Sequence, residues 1–313
     1  MADGHAHTHL QPARVLKLSL VVTAIYIAVL LVTGVRAHSL ALLSEAGHNV
    51  TDLLALLLSW VAVRMQSRPP SERRTFGYHR AGVLAAFANA LTLVAIAFLI
   101  FYEAAQRLLT PVAVHAGVMM VVAAVGIALN GVIALALYRT SRDVNLRSAF
   151  VHQLGDTLST AAVLVGGAVI AFTGRSWVDP ALSFGIGVLI LWSSYDIIRE
   201  TLNILLEGTP RGMDVARIAD AMRAIEGVND VHDLHVWSLG SETHALSCHI
   251  AIADIPTSES DAILRRVQER LRDVFKIHHT TIQFEHAECD VAHGCVIPLA
   301  EHDAHEHESE RHS

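Results

Sequence analysis

HSLALLSEAGHNVTDLLALLLSWVAV, His38 to Val63, is an apolar run of membrane-spanning length broken near its middle by a few polar residues. His48 and Asp52 lie four residues apart. On a helix they share a face one turn apart and aim two ligand atoms at one spot. The same spacing recurs in a second apolar run, Ala149 to Thr173, as His152-Gln153-Leu154-Gly155-Asp156. Ionisable groups in a bilayer core are costly and mark an ion or proton path. Two imidazoles and two carboxylates form a donor set that a tetrahedral divalent ion such as Zn2+ accepts. His48, Asp52, His152 and Asp156 are therefore expected to form a transport site for a divalent metal ion. Polar side chains can also simply hold helices together, as Asn89 and Asn130 can. Two ionisable pairs at one spacing exceed what that role needs.

Outward from these runs, six apolar segments reach the roughly 20 residues that a hydrocarbon core requires. They are Val15–Val35, His38–Val63, Gly82–Tyr102, Val112–Tyr138, Ala149–Thr173 and Pro180–Ile198. The chain has 313 residues, 52% of them hydrophobic and only 17% charged, and six such runs leave no polar face for a soluble helical bundle. The first run is too long for a signal-peptide core and lacks a small-x-small exit, so it reads as the first span. The three cysteines, Cys248, Cys289 and Cys295, are odd in number and confined to the C-terminal third, which fits a reducing compartment rather than a disulfide framework. The net charge of −7 comes largely from the C-terminal region and its acidic tail.

Arginine placement predicts orientation. The connection after the second span holds Arg64, Arg68, Arg73, Arg74 and Arg80, and that after the fourth holds Arg139, Arg142 and Arg147; the other three hold only Arg36, Arg107 and Arg175. Both termini are thus expected in the cytoplasm. Asp52 then lies about 18 Å, and Asp156 about 15 Å, from the inner ends of their antiparallel spans, at 1.5 Å per residue. The four ligands share one depth.

After Glu207-Gly208-Thr209-Pro210 the pattern changes. Met213–Ile225 and Ser258–Val274 have helical spacing, the first ended by Gly227 and the second opened by Thr257, Ser258 and Ser260. Val231–Leu239, Thr243–Ala253 and Thr280–Glu285 are β-rich. The order α-β-β-α-β suits a small ferredoxin-like α+β domain. The expected fold is thus a six-helix transmembrane bundle with a C-terminal cytosolic ferredoxin-like domain. The expected organisation is a His-bearing tail at 1–14, a transmembrane domain at 15–207, a cytosolic domain at 208–290 and a His- and acid-rich tail at 291–313. Neither tail can bury a core, so both are expected to be disordered.

Four motifs together resemble the cation diffusion facilitators, a family of zinc/proton antiporters: Ser44-Glu45-Ala46-Gly47-His48-Asn49, Phe76-Gly77-Tyr78-His79-Arg80-Ala81, His152-Gln153-Leu154-Gly155-Asp156 and His232-Asp233-Leu234-His235-Val236-Trp237. The resemblance runs from about Leu16 to Cys289. It implies that the His/Asp quartet is the transport site, and that His at the first position goes with zinc selectivity. It implies an interfacial site in the second connection, with His79 and, by position, His278. Here the chain departs from some relatives, having Gly82 where many have Glu. It also implies a cytosolic zinc site at His232, His249 and Glu285, one per strand, with Cys289 just beyond, and a homodimer formed through that domain. Read without the resemblance, these are surface histidines at strand ends. Glu45, one turn before His48, reads as a proton or access-path group or as merely interfacial.

No nucleotide-binding or hydrolase motif is present in the sequence, so transport is expected to run on an ion gradient. The expected function is efflux of Zn2+, with Cd2+ or Co2+ as alternatives, in exchange for protons across a bacterial inner membrane. The expected partners are the metal ion, protons, the lipid bilayer and a second copy of the chain, with no nucleic acid and no enzymatic activity. The rivals are a membrane metal sensor that transports nothing and an intramembrane metalloenzyme, which would need an open coordination position and a separate base.

Overall fold

The computed structural model describes residues 10–140, 144–241 and 243–286, and their side chains over 21–135, 153–241 and 243–286. The expectations placed on His152 as a ligand, on Cys289, and on the two terminal tails fall outside what is described, apart from the helix that begins at Leu10. The chain divides into two compact units between Leu202 and Asn203.

The first unit is built from six long helices: α1 (Leu10–Ala37), α2 (Leu40–Gln66), α3 (Ala81–Leu109), α4 (Ala116–Thr140), α5 (Val144–Thr173) and α6 (Val178–Leu205). Among the described residues, α2 to α6 each carry a stretch long and apolar enough to cross a membrane, and α1 contributes the shorter apolar piece Val21–Ala37. Most of the helices outlast the apolar runs that announced them, because helical hydrogen bonding does not stop where the hydrophobic residues do. They stop where the backbone forces it. His38 (φ 53°) separates α1 from α2, and Gly174 (φ 69°) closes α5. Behind Pro69-Pro70, Ser71 and Arg74 exchange backbone hydrogen bonds of 3.1 and 2.9 Å in a tight turn.

The helices meet through small residues. Ala41, Ala46, Ala97 and Ala123 are completely buried beside Leu30, Leu42, Met119 and Val163. At Gly126 of α4 an added Cβ would overlap the Tyr26 hydroxyl of α1 and sit 2.9 Å from Thr160 Cγ2 of α5, so only glycine admits this approach. Large apolar side chains such as Trp60, Leu99, Phe172 and Trp192 point outward. That is the inverse of a soluble bundle and is what a lipid solvent permits.

In the second unit α7 (Val215–Arg223), β1 (Asp230–Ser238), β2 (His244–Ala251), α8 (Thr257–Phe275) and β3 (Ile277–Glu285) follow in the expected α-β-β-α-β order. The sheet order is β1-β2-β3, antiparallel then parallel. Ile218, Met222, Leu246, Ile250, Val267 and Leu271 fill its core. β3 starts three residues earlier than its β-rich pattern suggested, because Lys276 takes the left-handed conformation (φ 57°) and turns α8 directly into the strand. The start of α8 is also simpler than the Thr257, Ser258 and Ser260 signals implied: Pro256 occupies the N-cap with no side-chain hydrogen bond.

Candidate metal centres

The pleat-free spacing of α2 stacks His48 over Asp52, and α5 brings Asp156 up beside them. His48 Nε2 lies 3.1 Å from Asp156 Oδ1 and 3.6 Å from Asp52 Oδ2. One ligand atom from each of the three residues falls within 4.8 Å of the others. All three are partly buried, at 19%, 32% and 14% side-chain exposure, so the group is enclosed yet reachable. His152 precedes Asp156 by one turn on the same helix, which puts its Cα on the same helical face.

Two buried carboxylates, Glu45 and Asp179, join α2 to its neighbours elsewhere along its length. Glu45 is 1% exposed, and its carboxylate accepts hydrogen bonds from Thr160 Oγ1 (2.7 Å) and Ser159 Oγ (3.3 Å) of α5. It therefore ties α2 to α5 one turn from the metal-ligand group. Asp179, at the start of α6, is fully buried and fixes the start of α2. It accepts from Ser39 Oγ (2.6 Å), Leu40 N (2.6 Å) and Ala41 N (3.2 Å). Arg107 Nη1 of α3 stands 3.9 Å from it and donates to the His38 carbonyl at 2.6 Å. The carboxylate satisfies helix-end donors that have no partner within α2. The signal for this residue was available, as an acid opening an apolar span, but one sequence cannot say which helix such an acid reaches.

The second group lies on one face of the β-sheet. His232 and His249 are direct cross-strand partners, and Glu285 pairs in register with Ala251, two residues along. The Glu285 carboxylate bridges both rings, Oε2 to His232 Nε2 at 3.0 Å and Oε1 to His249 Nδ1 at 2.9 Å. The rings themselves are 5.5 Å apart, edge to face. Ligand atoms from these three residues also fall within 4.8 Å of one another. Cys248, on the opposite face, is buried, and its thiol is pushed up to about 12, chiefly by burial and then by the negative charge of Asp233. It does not join the group of His232, His249 and Glu285. His244 is held below the ordinary histidine value by burial and pairs with Ser238 Oγ at 3.2 Å, apart from the group.

Among the described residues neither His79 nor His278 joins a metal-ligand group. His79 is exposed, in the turn before α3, where its carbonyl accepts from Gln66. His278 is exposed on β3.

Six long helices, most of bilayer-spanning length, with ionisable groups converging between two of them, plus a compact α+β unit with its own His/carboxylate cluster, define a multi-pass membrane protein with a group that could hold a metal ion in each part. Family comparison identifies the same two parts. Residues 16–206 match the cation efflux transmembrane domain, and residues 210–287 match the cation efflux protein cytoplasmic domain. The chain belongs to the cation efflux family. It is 37% identical to the zinc transporter ZitB of Pectobacterium atrosepticum, over 100% of this chain and 99% of the relative. It is 39% identical to zinc transporter ZitB of Escherichia coli, over 98% and 100% respectively. A cadmium, cobalt and zinc/H(+)-K(+) antiporter of Bacillus velezensis is 36% identical over 91% and 92%. Among solved structures, a metal-bound C-terminal domain of a CzcD transporter aligns with 23% of this chain and 99% of its own at 36% identity, with a TM-score of 0.22.

Proposed function

We propose that the chain is a secondary active transporter that moves Zn2+ out of the cytoplasm in exchange for protons, through the site His48, Asp52, His152 and Asp156. The observation that carries this reading is the convergence of His48, Asp52 and Asp156 between α2 and α5, inside spans where unpaired ionisable groups are costly. Two carboxylates and imidazole suit Zn2+, with Co2+ and Cd2+ next, better than the all-oxygen set that Mn2+ favours. Histidine must be neutral to bind metal, and its ordinary pKa of about 6.5 lies where protons compete with metal. A proton arriving from outside therefore discharges the ion, and loss of the proton to the cytoplasm readies the site again. The similarity to zinc transporters and to the Bacillus velezensis antiporter supports the substrate and the exchange.

The cytosolic group fits a resident zinc ion: His232 Nε2, His249 Nδ1 and a Glu285 oxygen supply N/O donors already turned toward one point. When bound there, the ion would knit all three strands together and stabilise the domain through which two copies of the chain pair. Cys289 and the interfacial residues His79 and His278 keep the part the family resemblance suggests, as secondary ligands. The organisation we adopt is a tail at 1–14, a transmembrane domain at 15–207, a cytosolic domain at 208–290 and a tail at 291–313, in a bacterial inner membrane with both termini in the cytoplasm. We read the chain as a transporter and not an enzyme, because a four-ligand site leaves no open position for catalysis.

Purified protein in liposomes tests this directly. Zinc flux should fall to background in Asp156→Ala while the variant still folds; parent-like flux in that variant overturns the site. Zinc binding without any flux in the parent favours the sensor instead.

A further inference from the structure

The cytosolic group has a second tier of carboxylates that the ligand assignment does not use. Each histidine turns one ring nitrogen to Glu285, and each has an aspartate behind its other nitrogen. His232 Nδ1 faces Asp230 Oδ2, and His249 Nε2 faces Asp233 Oδ2, both at 3.8 Å. Asp233 reaches that place through an irregularity. His232 pairs with His249 but His235 pairs with Ser247, so Asp233 and Leu234 together oppose the single residue Cys248. Within this bulge Asp233 has φ 49°, a left-handed backbone inside a strand. Bulges re-aim side chains, and strained backbone persists where something over-determines it. Here the side chain is turned inward, 18% exposed, with its other oxygen 2.9 Å from His235 Nε2.

A surface bulge needs no carboxylate wedged between two histidines. Nor is Asp233 a fourth ligand, since it does not join the set of atoms within 4.8 Å of one another. We propose that Asp233 is a positioning residue for the cytosolic metal: it takes the Nε2–H of His249, fixing the tautomer that leaves Nδ1 as the lone-pair nitrogen. Asp230 acts in the same way behind Nδ1 of His232, leaving Nε2 to the ion. A small ring rotation or one water closes the 3.8 Å gaps. Such carboxylate–histidine–metal chains orient the ring and raise its basicity. The proposal rests on the reading of His232, His249 and Glu285 as metal ligands.

The test uses the full-length protein in detergent with Asp52→Ala and Asp156→Ala, which silence the transmembrane site, titrated with Zn2+ against a chromophoric chelator. The binding component removed by His232→Ala with His249→Ala is the cytosolic site. If that pair removes nothing, the ligand assignment fails and the proposal with it. Asp233→Gly, which tolerates the left-handed backbone, should weaken that component about 10- to 100-fold. The metal-free melting temperature should be unchanged. Asp233→Asn, which also tolerates this conformation and still accepts a hydrogen bond, should fall between. Binding by Asp233→Gly within twofold of the parent overturns the proposal while the ligand assignment stands. So does a metal-free melting temperature that falls as far as the metal-bound one, since Asp233 would then be only structural.

Discussion

Two groups of similar chemistry, imidazole with carboxylate, are built on opposite principles in the two parts of this molecule. In the membrane part the candidate ligands are local: His48 and Asp52 are one helical turn apart, and a single partner helix adds Asp156. In the cytosolic part no two ligands are near in sequence. His232, His249 and Glu285 come from three strands and meet only because the register is right. The difference suits different tasks. Ligands shared between two helices can be separated by a small sliding of one past the other, so an ion bound there would be released. Ligands spread over three hydrogen-bonded strands cannot part without breaking the sheet, so an ion bound there would be held.

If that contrast is correct, the largest effect on flux belongs to the membrane group. Asp52→Ala should reduce zinc flux at least 100-fold (roughly 3 kcal/mol at 1.4 kcal/mol per tenfold). His232→Ala with His249→Ala should leave saturating flux within about threefold of the parent. Flux assays in liposomes read both, and equal losses in the two variants break the contrast.

The scaffold comes next. Asp179→Ala removes the acceptor that gathers Ser39, Leu40 and Ala41 and faces Arg107. Losing one member of a buried ionic cluster costs about 3–5 kcal/mol. Thermal unfolding in detergent should show that loss, with Asp179→Asn retaining part of the stability. A melting temperature unchanged in Asp179→Ala removes this residue from the account of how α2 is held.

A smaller effect tests the holding role of the sheet group. Zinc at 100 times its dissociation constant should stabilise a site that binds only the folded state by about 2.7 kcal/mol. Calorimetry on the protein silenced at Asp52 and Asp156 should show this shift, and His232→Ala with His249→Ala should abolish it.

A separate test is a pH effect beneath the same sheet. The Cys248 thiol is pushed up to about 12 in the folded state, above the ordinary free-thiol value of about 8.5. A raised value means the fold favours the protonated form, so this contribution is complete below pH 8.5 or so and is lost as pH rises toward 12. The stability difference between the parent and Cys248→Ala should therefore shrink from pH 8 to pH 11. A difference constant over that range contradicts it.

The same contrast explains what could be read from the sequence. A helical site is written in a spacing of four, so His48 with Asp52 and His152 with Asp156 stand out in any apolar run. The α-β-β-α-β order was legible from periodicity, because β-branched alternation and amphipathic spacing are local patterns. Naming His232, His249 and Glu285 required family resemblance, since register between strands is not a local property. The bulge that places Asp233 left no trace at all, because it depends on which residue of β2 stands opposite. Glu45 and Asp179 were visible as acids in apolar surroundings, but their partners, Thr160 and Ser39, lie more than 100 positions away.

Simultaneous recording of zinc entry and internal pH in liposomes containing the parent protein tests whether the two ions exchange through this site. Zinc movement should be matched by proton movement in the opposite direction, and both should vanish together in Asp52→Ala and in Asp156→Ala. Zinc flux with no accompanying proton movement, or coupled flux that persists in either variant, would contradict the account.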